Sequence, residues 1–95
     1  MSELDRALPR DERIRAMVSA GEVDRAATAV VRELGPEIFG FLRGALGSDA
    51  DADEVFAASS ARLWQSLAAF RWQCSLRTWV YVIARNEIAR YAEGV

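Results

Sequence analysis

Arg77, Tyr81 and Arg85 follow one another at intervals of four residues, and Asn86 and Arg90 flank the same side of that segment. On a helix, residues four apart share a face. This face would offer guanidinium groups to phosphates, an amide to a base edge and a ring for stacking. Single-stranded nucleic acid is bound by that combination. Just upstream, Arg71, Trp72 and Gln73 supply a cation, an indole and a second amide, a set that could enclose an unstacked base. The competing reading is a solvated helix face with its aromatics in the core, and composition alone favours it. Trp79 and Ile83 belong to the core on either reading.

A second group is the acidic run Asp49, Asp51, Asp53 and Glu54. Carboxylates so spaced could bind a metal, serve acid–base chemistry, cap a helix or dock on a basic partner. No histidine, no second carboxylate cluster and no phosphate-cradling glycine loop accompany them, so an active site has little support. Capping is the commonest reason for such a run, because carboxylates complement the positive end of a helix. Docking on a positively charged partner is the alternative with functional content. Cys74 reads as a small, partly buried side chain. A redox role would need its thiol acidified by the nearby arginines.

The chain that must position these groups has 95 residues, enough for one domain with one core. Hydrophobic residues make up 52% and charged residues 27%, a balance that folds. Two prolines and six glycines against 17 alanines favour helices over a loop-rich β architecture. A single cysteine rules out an internal disulfide and fits a reducing compartment. The absence of histidine excludes zinc sites built on Cys and His, and hydrolases built on Ser-His-Asp or Cys-His. No cofactor or metal is expected. No apolar run approaches the roughly 20 residues needed to span a bilayer, so a cytoplasmic module is expected.

The net charge of -2 argues against a bulk nucleic-acid binder, but its distribution is uneven. Residues 1–57 carry 12 acidic and seven basic side chains, whereas residues 58–95 carry two acidic and five basic. Every basic residue is arginine. Codon bias would account for that, but the planar guanidinium suits phosphate, carboxylate and ring contacts either way. An acidic half joined to a basic half suggests two faces for two partners.

Four helical segments follow from hydrophobic spacing. The first runs from Asp11 to Ala20, with Ile14, Met17 and Val18 inward and Gly21 as its stop. The second starts near Asp24 and carries Ala27, Val30, Val31, Leu34, Ile38, Phe39, Leu42 and Leu46 on one stripe. Gly35-Pro36 lies within it, so a kink or short break is expected there. The third opens on the acidic run, where Asp51 and Glu54 have capping-box spacing, and continues through Val55, Phe56, Leu63, Trp64 and Leu67 toward Phe70. The fourth is capped by Ser75 and runs to about Tyr91, with Leu76, Trp79, Val80, Ile83, Ala84, Ile88 and Tyr91 inward. The expected fold is all-α, a compact bundle of three to four helices over residues 11–92, preceded by a tail over residues 1–10.

The segment Phe70-Arg71 followed by Ser75-Leu76-Arg77-Thr78-Trp79-Val80-Tyr81-Val82-Ile83-Ala84-Arg85-Asn86 resembles the pattern F-R-x-x-x-S-L-R-T-W-L-Y-x-I-A-R-N. That pattern belongs to region two, the core-binding and promoter-melting domain, of bacterial sigma factors of the extracytoplasmic-function type. Gly35-Pro36-Glu37-Ile38-Phe39-Gly40-Phe41-Leu42-Arg43, Asp51-Ala52-Asp53-Glu54-Val55 and Arg62-Leu63-Trp64 resemble the family's G-P-x-L-x-x-F-L-R, D-A-E-D-L and R-L-W in order and spacing. The resemblance implies that the third helix docks on the β′ clamp helices of RNA polymerase core through Asp51, Asp53, Glu54, Ala57 and Ala58. It also implies that Arg71, Trp72, Gln73, Ser75, Arg77, Trp79, Tyr81, Arg85, Asn86 and Arg90 capture the melted non-template strand of the minus-ten element. An anti-sigma factor is a further expected partner; a membrane is not.

Where the family usually has Q-E or Q-D and then an aromatic two residues on, this chain has Ala57, Ala58 and Ser60. Each hydrogen bond lost from a docking helix removes about 0.5–3 kcal/mol, so weaker core docking is expected. The chain also ends just after the last helix, so the family's C-terminal helix-turn-helix is expected to lie outside it. Two other readings follow: a sigma-like decoy that binds an anti-sigma factor without docking on core, and a small helical enzyme, which would require a bound metal or cofactor.

Overall fold

Helical spacing of apolar residues becomes four packed helices in the computed structural model, which describes residues 9–94. They are α1 (Arg10–Ser19), α2 (Val23–Leu46), α3 (Asp49–Ser66) and α4 (Leu76–Gly94), with a single 3-10 turn at Leu67–Ala69 after α3. No strand occurs among the described residues. Ile14 from α1, Val30, Leu34 and Leu42 from α2, Val55 from α3, Leu67 from the turn and Leu76 from α4 are almost wholly buried, one core shared by all elements. The tail expected over residues 1–10 falls mostly on residues 1–8, which lie outside the described residues; Arg10 is already helical.

The helix ends follow from local chemistry. α1 stops where Gly21 adopts φ +81°, a conformation that strains side-chain-bearing residues. The Gly21 and Glu22 N–H groups then donate back to the Val18 and Met17 carbonyls at 3.0 and 2.9 Å, the paired bonds of a Schellman motif. α3 is capped by Ser48, whose Oγ accepts from the Asp51 N–H at 3.2 Å. The expected Asp51–Glu54 box is replaced by this hydroxyl, because Ser48 alone sits in extended backbone one position before the first turn.

Three expectations are corrected. α2 runs through Gly35-Pro36 without a break. Pro36 contributes no N–H, but the buried neighbours Leu34 and Ile38 hold the helix to the core on both sides. Gly35 meanwhile leaves room for the Phe56 ring, whose Cζ would lie 3.3 Å from an added Cβ. Trp64 is not inward: it is 40% exposed and its Nε1 donates to Asp24 Oδ1 at 2.9 Å. On α4, burial continues into Glu87, and the helix extends beyond Tyr91 to Gly94.

α1 is fastened by polar contacts as well. Arg13 meets both oxygens of Glu33 at 2.6 and 2.7 Å, and Arg10 Nε adds a third bond at 3.2 Å. The Arg13 guanidinium, outweighing partial burial, holds the Glu33 carboxyl below the usual carboxylate range. Asp11 Oδ2 accepts from the Leu76 N–H at 2.9 Å, so α1 closes the first turn of α4.

Candidate nucleic-acid interface

After the 3-10 turn the chain leaves the helical conformation at Phe70 and crosses six residues before α4. Trp72 sits there with φ +58°, a left-handed conformation that is uncommon for a bulky residue. Its ring is held 4.6 Å from Phe70, which in turn stacks on Trp79 at 4.4 Å and 12° between planes. Arg15 lies over the Trp72 ring at 5.9 Å. Ring packing of this kind offsets the backbone strain, and it leaves Arg71, Gln73 and Cys74 on the surface. Cys74 is therefore exposed and not partly buried as expected.

Ser75 starts α4 as expected, accepting the Thr78 N–H on Oγ at 3.1 Å. From there Arg77, Arg85, Asn86 and Arg90 are exposed. Tyr81 is only partly open: it is half-buried against α2, edge-on to Phe41 at 5.1 Å, and shares a surface depression with Arg77 and Arg85. Trp79 is half-buried too, its ring belonging to the Phe70 stack. The predicted residues therefore part: Arg77, Tyr81 and Arg85 lie together beside α2, whereas Asn86 and Arg90 line a groove with Trp79 and Arg62 beside α3.

Proximity to α2 has a consequence for charge. Glu37 of α2 receives Arg77 Nε at 2.6 Å and the Tyr81 hydroxyl at 2.9 Å, both on Oε2. The Tyr81 and Arg77 hydrogen bonds lower the Glu37 pKa, while burial and the Glu37 carboxylate raise that of the Tyr81 phenol. Arg77 and Tyr81, expected as open strand ligands, are thus engaged by a carboxylate. Arg90 approaches Glu87 at 3.5 Å, and Arg62 of α3 approaches the same carboxylate at 3.7 Å. Arg71 and Arg85 make no ion pair among the described residues; Arg85 lies over the Phe41 ring at 6.0 Å.

On the opposite charge, Asp53, Glu54, Ala57 and Ala58 form an exposed strip along α3. Asp51 is half-buried and accepts from the Tyr91 hydroxyl at 2.5 Å. Asp49 pairs with Arg43 at 2.6 Å. The α3 strip is acidic only in its first turn and a half; beyond it the exposed residues are Ala57, Ala58 and Ala61, then Trp64 and Gln65.

Glu37, Phe41 and Glu87 border the basic face without having been foreseen. Glu37 is 40 residues from Arg77, and no local spacing rule connects them. Glu87 had one signal, a carboxylate three residues before Arg90 on the same helix.

Compared with known families, residues 30–93 match the model described as Sigma-70 region 2. The chain belongs to the sigma-70 region 2 family. Comparisons with curated proteins and with solved structures return no match. Region 2 domains are non-enzymatic parts of transcription initiation factors and act in promoter recognition and in binding the RNA polymerase core. The match takes in most of α2, all of α3 and nearly all of α4; α1 precedes it. Among the described residues no helix is long and apolar enough to cross a membrane.

Proposed function

We propose that this sigma region 2 domain is of the extracytoplasmic-function type, docks through α3 on the β′ clamp helices, and holds the melted non-template strand of the minus-ten element on the 70–75 connection and α4. The observation that carries the reading is the Phe70–Trp72–Trp79 ring cluster with Arg71 and Gln73 exposed beside it in the chain and Asn86 sharing a groove with Trp79, while Arg85 stands exposed on the next side of α4. Rings give stacking surface, guanidinium groups take phosphates and amides address base edges. The acidic first turn of α3 supports a basic protein partner on a separate face.

Binding of a single-stranded minus-ten oligonucleotide should weaken as salt rises, because phosphate contacts release counterions. Arg85→Ala combined with Asn86→Ala should weaken it further, by roughly thirtyfold if each contact contributes about 1 kcal/mol. Unchanged affinity in fluorescence anisotropy would count against the reading. The decoy reading is favoured by one feature, the exposed Ala57 and Ala58 where a docking helix would present polar groups. Recruitment of core polymerase separates the two, since a decoy leaves core in solution.

A further inference from the structure

We propose that Glu37 is a built-in competitor for the strand, its carboxylate filling the anion site formed by Arg77 and Tyr81 until a phosphate displaces it. This rests on the strand-binding reading above and adds a means of regulating that face.

One oxygen, Glu37 Oε2, gathers Arg77 Nε at 2.6 Å, Arg77 Nη2 at 2.5 Å and the Tyr81 hydroxyl at 2.9 Å. That donor set is the one a phosphate oxygen would take: a guanidinium edge and a hydroxyl converging on a single anionic atom. Arg77 is 63% exposed and Glu37 is 34% exposed at the side chain, so the anion site opens to solvent. Exposed ion pairs are weakly held and screened by salt. A strand phosphate, drawn in by the surrounding arginines, competes on comparable terms.

The other proposed strand ligands are arranged differently. Arg71, Arg85 and Asn86 have no carboxylate partner among the described residues. They can meet any strand on arrival, whereas the Arg77–Tyr81 site accepts one only when a phosphate reaches it well enough to expel Glu37. A strand in the wrong register leaves the pair closed and forgoes those contacts. Glu37 would thereby lower indiscriminate binding more than registered binding.

The experiment uses the full chain and a labelled mixed-sequence single strand of about 12 nucleotides, followed by fluorescence anisotropy over a range of salt. Glu37→Gln should bind it roughly two- to fivefold more tightly at low salt, the gain set by loss of an exposed ion pair. It should also steepen the logarithmic salt slope by about 0.7, the value of one further phosphate contact. The gain should vanish when Arg77→Ala is added, and Glu22→Gln, an equal change of charge just before the start of α2, should not produce it. Circular dichroism checks that each variant keeps its helices.

Unchanged or weaker binding by Glu37→Gln, with Arg85→Ala plus Asn86→Ala still reducing affinity, would make Glu37 a positioning residue and reject the competitor, leaving the strand-binding face intact. A gain that survives Arg77→Ala, or is matched by Glu22→Gln, would reduce the effect to net charge and overturn the proposal as well. No strand binding by any of these chains would remove the functional reading and this inference together.

Discussion

Tyr91 shows how a single contact reshapes a side chain's chemistry. Its hydroxyl donates to Asp51 at 2.5 Å, and that hydrogen bond, then burial and the carboxylates of Asp51 and Glu54, push the phenol up to about 12. The folded state keeps the proton at a pH where the unfolded chain loses it. The contribution to stability is therefore complete below the ordinary phenol value, about 10, and is lost as pH rises through the folded value. Asp51→Asn should return one of the two tyrosines toward the ordinary range in a phenolate absorbance titration and leave the other, held by Glu37, where it was. Two unshifted transitions would contradict this. At this scale the Ser75 cap was legible, because a hydroxyl three residues before Thr78 at a helix start has a local meaning. The Tyr91–Asp51 and Arg77–Glu37 contacts were not, because each joins residues 40 apart.

Elements in this chain are closed by their neighbours as much as by their own termini. The first N–H of α4 is satisfied by Asp11 of α1 at 2.9 Å, while Ser75 satisfies Thr78 at 3.1 Å from within the chain. Removing a cap of this kind costs about 1 kcal/mol, so Asp11→Ala should lower the unfolding free energy by that amount, seen as a lower urea midpoint, and speed hydrogen exchange at the start of α4. An unchanged midpoint would show that water replaces the carboxylate without loss. α2 makes the complementary point. Gly35-Pro36 predicts an interruption from backbone chemistry, but the helix continues because Leu34, Ile38 and Leu42 are buried on either side and Gly35 admits the Phe56 ring. The helix boundary set by Gly21 was readable in advance, since it needs a positive φ that glycine takes most easily.

Over the whole molecule, the uneven charge of the two halves of the sequence becomes an acidic turn on α3 and a basic face on α4. The separation is incomplete. Glu37 from the acidic half closes on Arg77, and Arg62 and Arg90 both approach the buried Glu87. The exposed strip Asp53, Glu54, Ala57 and Ala58 sets a prediction for the other partner. Ala57→Gln with Ala58→Glu should raise recovery of core polymerase in a pull-down, each new hydrogen bond adding about 0.5–1.5 kcal/mol. Recovery that is strong without these substitutions rejects the decoy, and recovery that stays absent with them rejects α3 as the docking helix.

The sequence by itself determined the all-α class, the four segments, most of the core stripe of each helix, the Ser75 cap and the motif that matches sigma region 2. These depend on local periodicity and on residue types within a few positions of one another. Only the tertiary structure decided that Tyr81 turns toward α2, that Trp64 stays outside, that Pro36 interrupts nothing and that Glu37 sits on the basic face. Those outcomes depend on which side chains meet across helices. The crossing of α2 and α4 brings a carboxylate and a guanidinium together from 40 residues apart, a distance over which spacing along the chain carries no information.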